Sequence, residues 1–427
     1  MNILLVKPAW FNNGLYKNCH LARVPPINLG ILASLSDGHY VKIADEDVEA
    51  IPYSDKWNIV GITTATSTAN NAYEIADRFK QLGCKVILGG IHPSLLPDEA
   101  SLHADSIIVG EAERLWREIL ADFPKLSRVY TETKPVEPEL IPLPRRDLFH
   151  PSYITAPLQA TRGCVRNCDY CYLQSVPWKK YRKRPISNLA KELSQIKQRY
   201  IFVVDDNLFL DTNYALDFAE MIRPFNKYWW AQAPLSLGTD KKTLKKFADS
   251  GMCAVSLGID SVIKESLESV SKTHDPIDEA KKIVKNFHDL KIGVATFLVF
   301  GFETDQKDVF QRSLETIDKL NIDCGAFFCL TPYPGTKMFD RMEKEGRILT
   351  KDWSKYDWLH AVFKPAGLLP RQLEKGTLQM YPSVRRIRLK KLFQSILISL
   401  RMISRSPAVA FHMKDFHFLR PRGGPLL

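Results

Sequence analysis

The chain has 427 residues, 45% of them hydrophobic and 25% charged. That is enough for two or three domains with sizeable cores, and too apolar for a chain disordered overall. The net charge of +11 would suit a nucleic-acid binder, but 12 Lys/Arg against Glu374 and Asp415 place +10 of it after residue 370, leaving +1 for the rest. The basicity belongs to the tail, so no nucleic-acid partner is expected. No apolar run approaches the ~18 residues that span a bilayer, and the run at residues 3–6 is too short for a secretion signal. Five of the eight cysteines are scattered without a disulfide framework. A cytoplasmic location is expected.

Residues 1–130 alternate strand-like and helix-like segments, as βαβ units do. Strands are expected at 3–6, 41–44, 59–63, 85–88 and 106–109, and helices at 26–35, 70–82 and 112–123. The result is a doubly wound parallel sheet of about five strands, with ligands outside the strand C-termini. Residues 131–155, punctuated by Pro135, Pro138, Pro142, Pro144 and Pro151, read as a linker. From 156 to 370 a strand–helix unit repeats six times. The strands are expected at 156–161, 201–205, 228–233, 253–259, 293–301 and 324–330; the helices are expected at 187–198, 211–223, 240–250, 278–289, 305–319 and 336–345. Six βα units make a partial barrel, with its site at the C-terminal strand ends. The tail, 371–427, carries the stripe Leu389, Leu392, Phe393, Ile396, Leu397, Leu400 and Ile403 among basic residues. This basic amphipathic helix suits an anionic membrane interface or docking on the catalytic domain.

After the first barrel strand come Cys164, Cys168 and Cys171, spaced C-x3-C-x2-C. Zinc sites usually come as paired halves, and Cys253, Cys324 and Cys329 supply no second half. Three thiolates can hold three irons of a cubane cluster and leave the fourth without a protein ligand. This spacing, with Tyr170 before the last cysteine, resembles the radical S-adenosylmethionine (radical SAM) superfamily. The resemblance implies a [4Fe-4S] cluster on Cys164, Cys168 and Cys171. Its open iron would bind S-adenosylmethionine, whose reductive cleavage releases a 5′-deoxyadenosyl radical.

Other strand ends carry further candidates. Asp205 and Asp206 follow the second strand, where a carboxylate can meet cofactor or substrate, although either can also serve as a helix N-cap. Asp260 follows the fourth strand where the family usually has a glutamate. Gly301 and Glu303 end the fifth and resemble the family's element beside the adenine. Cys324 and Cys329, an odd number of residues apart, should face opposite sides of their strand and pack. Within the basic run 179–184, Arg184 is a candidate for the cofactor carboxylate or an acidic electron donor.

The first domain resembles the cobalamin-binding domain found in front of one class of radical SAM proteins. The matching phrases are Pro25-Pro26-Ile27-Asn28-Leu29-Gly30, Val60-Gly61-Ile62-Thr63, Gly89-Gly90-Ile91-His92-Pro93 and Val109-Gly110-Glu111-Ala112-Glu113. By that resemblance Thr63, Thr64, Gly89 and Gly90 line the slot for the nucleotide tail of cobalamin. The D-x-H-x-x-G motif of a lower axial histidine is absent; His20 lies in the corresponding loop without its Asp or Gly. His92 is expected to be a hydrogen-bonding rim residue.

The fold implied is a flavodoxin-like cobalamin-binding-type domain, a partial (β/α)6 radical SAM barrel and a basic C-terminal helix. The function implied is a cobalamin-dependent methyltransferase acting on an unactivated carbon of a small or lipidic substrate. A flavodoxin- or ferredoxin-type reductant is expected, as is peripheral contact of the tail with the inner face of the membrane. A radical cyclase, dehydratase or rearrangement enzyme is the alternative, and an iron–sulfur redox sensor a third.

Overall fold

The computed structural model describes residues 1–10, 23–272 and 279–390, with side chains through 384. His20 and Cys19, and the part of the tail stripe beyond residue 390, lie outside the described residues.

Six short strands build the first sheet: β1 (Asn2–Lys7), β2 (Tyr40–Asp45), β3 (Ile59–Thr63), β4 (Lys85–Gly89), β5 (Ser106–Val109) and β6 (Val129–Thr131). Every pairing is parallel, in the order β2-β1-β3-β4-β5-β6. A parallel sheet is covered on both faces, so its strands are apolar throughout; Ile3, Leu4, Leu5 and Val6 are all fully buried. The helix Ala112–Asp122 lays Trp116 across Gly61 of β3. A methyl group on Gly61 would stand 3.2 Å from that indole, which is why the strand has glycine there. The Trp116 N–H donates to Ser36 Oγ at 2.8 Å, so its polar end is satisfied inside the core.

The second sheet is also all parallel. It comprises β7 (Thr155–Leu158), β10 (Tyr200–Val203), β11 (Tyr228–Ala233), β12 (Met252–Asp260), β13 (Gly293–Phe300) and β14 (Cys324–Cys329), neighbouring one another in chain order. A two-stranded ribbon, β8 (Thr161–Arg162) with β9 (Arg182–Lys183), brackets the cysteine loop. The strands from β11 to β14 alternate between fully buried and partly exposed residues. Their buried set packs with the helices, as when Trp229 meets Phe218 and Phe247 edge to face. The other set lines the concave face of a partial six-stranded βα barrel.

After β14 the chain returns to the first sheet. Phe339, Trp353, Tyr356 and Val362 share a core with Leu4, Val60, Phe79 and Val86. The helix Pro370–Lys390 then packs on β14, where Tyr381 Oη donates to the Phe327 carbonyl at 3.0 Å and accepts from its N–H at 3.1 Å. Among the described residues no helix is long and apolar enough to cross a membrane.

Candidate active site

The cysteine loop leaves β8 through Gly163, whose φ of +84° suits glycine. A methyl group there would stand 2.4 Å from the carbonyls of Lys179 and Lys180, so the chain packs closely on the segment that leads into the second strand of the ribbon. Cys164, Cys168 and Cys171 are free and half-buried, and Cys171 N–H donates to the Cys168 carbonyl at 3.0 Å. Burial pushes the Cys171 thiol up to about 12 and raises that of Cys168. No group of three His, Cys, Asp or Glu among the described residues converges on a single-ion site. Thiolates on a cubane each take a separate iron, so single-ion convergence is not its requirement.

One flank of the loop is held by Tyr170. Its hydroxyl donates to Asp260 Oδ2 at 2.6 Å, and its ring meets Phe302 edge to face at 6.0 Å. Asp260 also pairs with the buried Lys272, whose Nζ donates to the Gly258 carbonyl at 2.6 Å. Asp260 adopts φ +60°, a left-handed conformation uncommon outside glycine and held here by these partners. Lys272 carried no sequence signal, lying beyond the strand and next to residues outside the described set.

The other flank is held by Asp205 and Asp206. Asp205 accepts from Ala160 N–H at 2.7 Å, Thr161 N–H at 2.8 Å and the Thr161 hydroxyl at 2.7 Å. It therefore ties down the chain entering the loop, where the sequence suggested a cofactor-facing acid. Asp206 accepts from Gly163 N–H at 2.8 Å and lies in a recess, open at its surface but walled by protein, which raises its carboxyl. For Asp205, burial lifts the carboxyl to about 7 against its three hydrogen bonds. That native value exceeds the free carboxyl's 3.8, so the stability contributed by its proton is complete below about pH 4 and is lost as pH rises through about 7. Wild-type stability is thus expected to fall between about pH 5 and pH 8, and Asp205→Asn, which cannot ionise, to flatten that slope. Chemical denaturation at the two pH values checks it; an unchanged slope would contradict it.

Other candidates sit elsewhere than expected. Glu303 pairs with Arg347 at 2.8 Å and Arg341 at 3.5 Å, which commits its carboxylate to the segment after β14. Gly301, at φ +107°, backs onto Leu373 and Phe363, and its N–H donates to buried Asp305 at 2.8 Å. Arg184 is buried against Glu192 at 2.7 Å, and Arg146 from the linker shares that carboxylate. Cys329 is fully buried, its thiol toward the Leu359 carbonyl, and packs as expected.

At the first sheet, Thr63 Oγ1 accepts from Asn28 Nδ2 at 2.8 Å, and Thr64 N–H donates to the Gly89 carbonyl at 2.8 Å. Gly90 holds φ +112°, and a methyl group there would also strike the Thr64 backbone at 2.7 Å, so both its conformation and close chain packing require glycine. The Thr64 hydroxyl is buried at the carboxyl end of β3 with no hydrogen-bond partner, a group suited to a polar ligand there. This fits the nucleotide tail of cobalamin. His92 lies fully buried between Thr66 Oγ1 at 3.3 Å and Tyr73 Oη at 3.0 Å, and is thus a core residue where a rim residue was expected.

Both sets of strand ends meet through buried charge. Arg162, immediately before the cysteine loop, pairs with Glu111 at 3.0 Å and Glu113 at 2.6 Å, both following β5. Arg182 clasps Glu111 with both terminal nitrogens, at 2.7 and 2.9 Å. Burial alone would raise Glu111; Arg182 and Arg162 bring its carboxyl below the usual range. The contact continues where Leu95, after β4, packs on Gly335 after β14, and where Trp10, after β1, meets Trp358 at 5.5 Å.

Residues 24–120 match the B12 binding domain family and residues 158–316 the radical SAM superfamily. Bacteriochlorophyllide d C-12(1)-methyltransferase of Chlorobaculum tepidum is 31% identical over 377 residues, covering 84% of this chain and 82% of that enzyme. Bacteriochlorophyllide d C-8(2)-methyltransferase of the same organism is 29% identical over 83% of this chain and 84% of its own. Among solved structures, the radical S-adenosylmethionine methyltransferase TsrM from Kitasatospora setae, with cobalamin and [4Fe-4S] cluster bound, shares the fold. Its TM-score is 0.66 at 14% identity, over 81% of this chain and 78% of that one. The chain belongs to the radical SAM superfamily, in the branch that carries a B12 binding domain ahead of the barrel. It is an enzyme whose cofactors are a [4Fe-4S] cluster, S-adenosylmethionine and cobalamin.

Proposed function

We propose that this enzyme places a methyl group on an unactivated carbon of a small apolar substrate. The observation that carries the reading is the ion-paired junction of Arg162 and Arg182 with Glu111 and Glu113, which joins the two cofactor domains at their strand ends. Named methyltransferases on bacteriochlorophyllides, similar over most of both chains, support methyl transfer over cyclisation, dehydration or redox sensing.

In this reading Cys164, Cys168 and Cys171 hold the cluster, while Tyr170, Asp260 and Lys272 fix one side of its loop and Asp205 and Asp206 the other. Thr63, Thr64, Gly89 and Gly90 line the place of the cobalamin tail. When bound, these groups supply a hydrogen-abstracting radical and a transferable methyl group, and the protein supplies orientation and exclusion of water. Exposed Lys179 and Lys180, whose carbonyls back the loop at Gly163, offer a basic landing for an acidic flavodoxin or ferredoxin. The basic stretch after residue 390 is assigned peripheral contact with an anionic membrane face, on its sequence pattern.

The test is anaerobic turnover with methyl-labelled S-adenosylmethionine and chlorophyllide acceptors. Label in a new carbon–methyl product, together with 5′-deoxyadenosine, is the expected result. 5′-Deoxyadenosine with an altered but unlabelled product would instead point to a rearrangement or dehydration.

A further inference from the structure

We propose that the concave face of the second sheet is a slot for a flat, uncharged ring system, such as a tetrapyrrole, standing edge-on to β12. This deepens the methyltransferase reading and rests on it.

The alternation of the strands decides which side chains face the slot. Trp229 and Ala231 are buried toward the helices, so Trp230 between them points the other way and is partly exposed. Its ring stacks on Phe202 of β10 at 5.4 Å and 15°. On the opposite side Phe297 lies between fully buried Thr296 and Leu298, and Phe328 between buried Phe327 and Cys329. These two rings stand 5.8 Å apart and are likewise partly exposed. Between the two aromatic sides, β12 presents Ala254, Ser256 and Gly258; register pairs Trp230 with Ala254, Ser256 with Ala295 and Gly258 with Phe297.

The lining is therefore bulky and aromatic at the sides and small at the back. Such a shape favours a planar guest, because aromatic faces gain from offset or edge contact with another π-system beyond simple area burial. A flexible chain would gain nothing special from these rings and would leave the small back unfilled. Strands β10 to β14 contain no Lys, Arg, Asp, Glu or His apart from Asp260 at the mouth, and the Lys272 ammonium beside Gly258 is already paired with that Asp260, so the guest's buried part must be uncharged. Gln232 and Ser256, partners in register, offer one polar contact. Trp358 extends the aromatic line toward the first domain, 5.6 Å from Phe328 and 5.5 Å from Trp10. It holds φ +68°, unusual for so bulky a residue, while its carbonyl accepts from Cys329 N–H at 2.7 Å.

The experiment measures binding of chlorophyllide a to the anaerobic holoenzyme by the shift of its absorption band, with squalene as competitor. Two variants are compared: Ser256→Trp, which fills the back of the slot, and Phe297→Ala, which removes one side. Unchanged iron content checks that each is folded. Wild type is expected to bind the pigment saturably and squalene not to compete. Ser256→Trp should weaken binding at least ~tenfold, and Phe297→Ala by about five- to tenfold, the worth of one aromatic contact. Should Ser256→Trp lose its iron, Phe297→Ala decides. Absence of binding in wild type, equal binding in the folded variants, or displacement by squalene would overturn the slot. A holoenzyme that binds the pigment in this way yet releases no labelled methyl would leave the slot standing and defeat the methyltransferase reading.

Discussion

Cys171→Ala is expected to reduce iron from about four to less than one per chain after anaerobic reconstitution, and 5′-deoxyadenosine release to background. Three thiolates are already one short of the usual four ligands, so a second deficit leaves two irons without protein ligands. The acids near the loop are already engaged, Asp206 by Gly163 N–H and Asp260 by Tyr170 and Lys272, so none stands ready to replace the lost thiolate. The fold should survive the change. Cys171 lies in a half-buried loop outside every β-strand, so the change leaves the cores of both sheets untouched. A variant with wild-type iron content would remove Cys171 from the cluster and with it the assignment of the loop.

Arg182→Leu should cost less than the ~3–5 kcal/mol of a fully broken buried pair but still a measurable share of it, because Glu111 loses both Arg182 hydrogen bonds and keeps only Arg162, at 3.0 Å, to offset its charge. The loss should appear as a lower denaturant midpoint and as weaker retention of cobalamin after gel filtration, since Arg182 joins the barrel to the domain that holds the cofactor. Adding Glu111→Gln should restore part of the stability, because the carboxylate left with half of its pairing is then gone. Both variants keep Arg162 with Glu113 at 2.6 Å, so the junction is weakened and not abolished. The pH dependence has a definite sign. Glu111's native carboxyl lies below its free value of 4.5, so its contribution is present above about pH 4.5 and is lost as pH falls through the native value. Equal midpoints for wild type and Arg182→Leu would show that the junction carries no energy.

Continuous apolar runs made most strands readable. Ile59–Thr63, Ser106–Val109 and Tyr228–Ala233 start and end where their sequences suggest, because buried parallel strands have little else in them. Val129–Thr131 escaped notice as a sixth strand: only Tyr130 is buried, and three residues carry no period. One expected strand at 156–161 is two, since the chain turns from the sheet at Gln159 and Ala160 to start the ribbon around the cysteine loop. The cysteines were legible because their spacing is local. Glu111 and Arg182 were not recognisable as partners, because they lie 71 residues apart and each alone looks like an ordinary surface charge. Asp205 shows the same limit from the other side. Its position after a strand suggested a ligand contact, while the backbone N–H groups that claim it become visible only once β7 is paired with β10. Likewise nothing near Trp353 or Tyr356 announced that they complete the core of the first sheet, some 290 residues back.

The central claim is that one chain holds both a four-iron cluster and cobalamin. Anaerobic reconstitution with iron, sulfide and hydroxocobalamin, followed by desalting and metal counting, tests it most directly. About four irons and about one cobalt per chain, with both chromophores in the visible spectrum, is the predicted result. About four irons and no retained cobalt would contradict it.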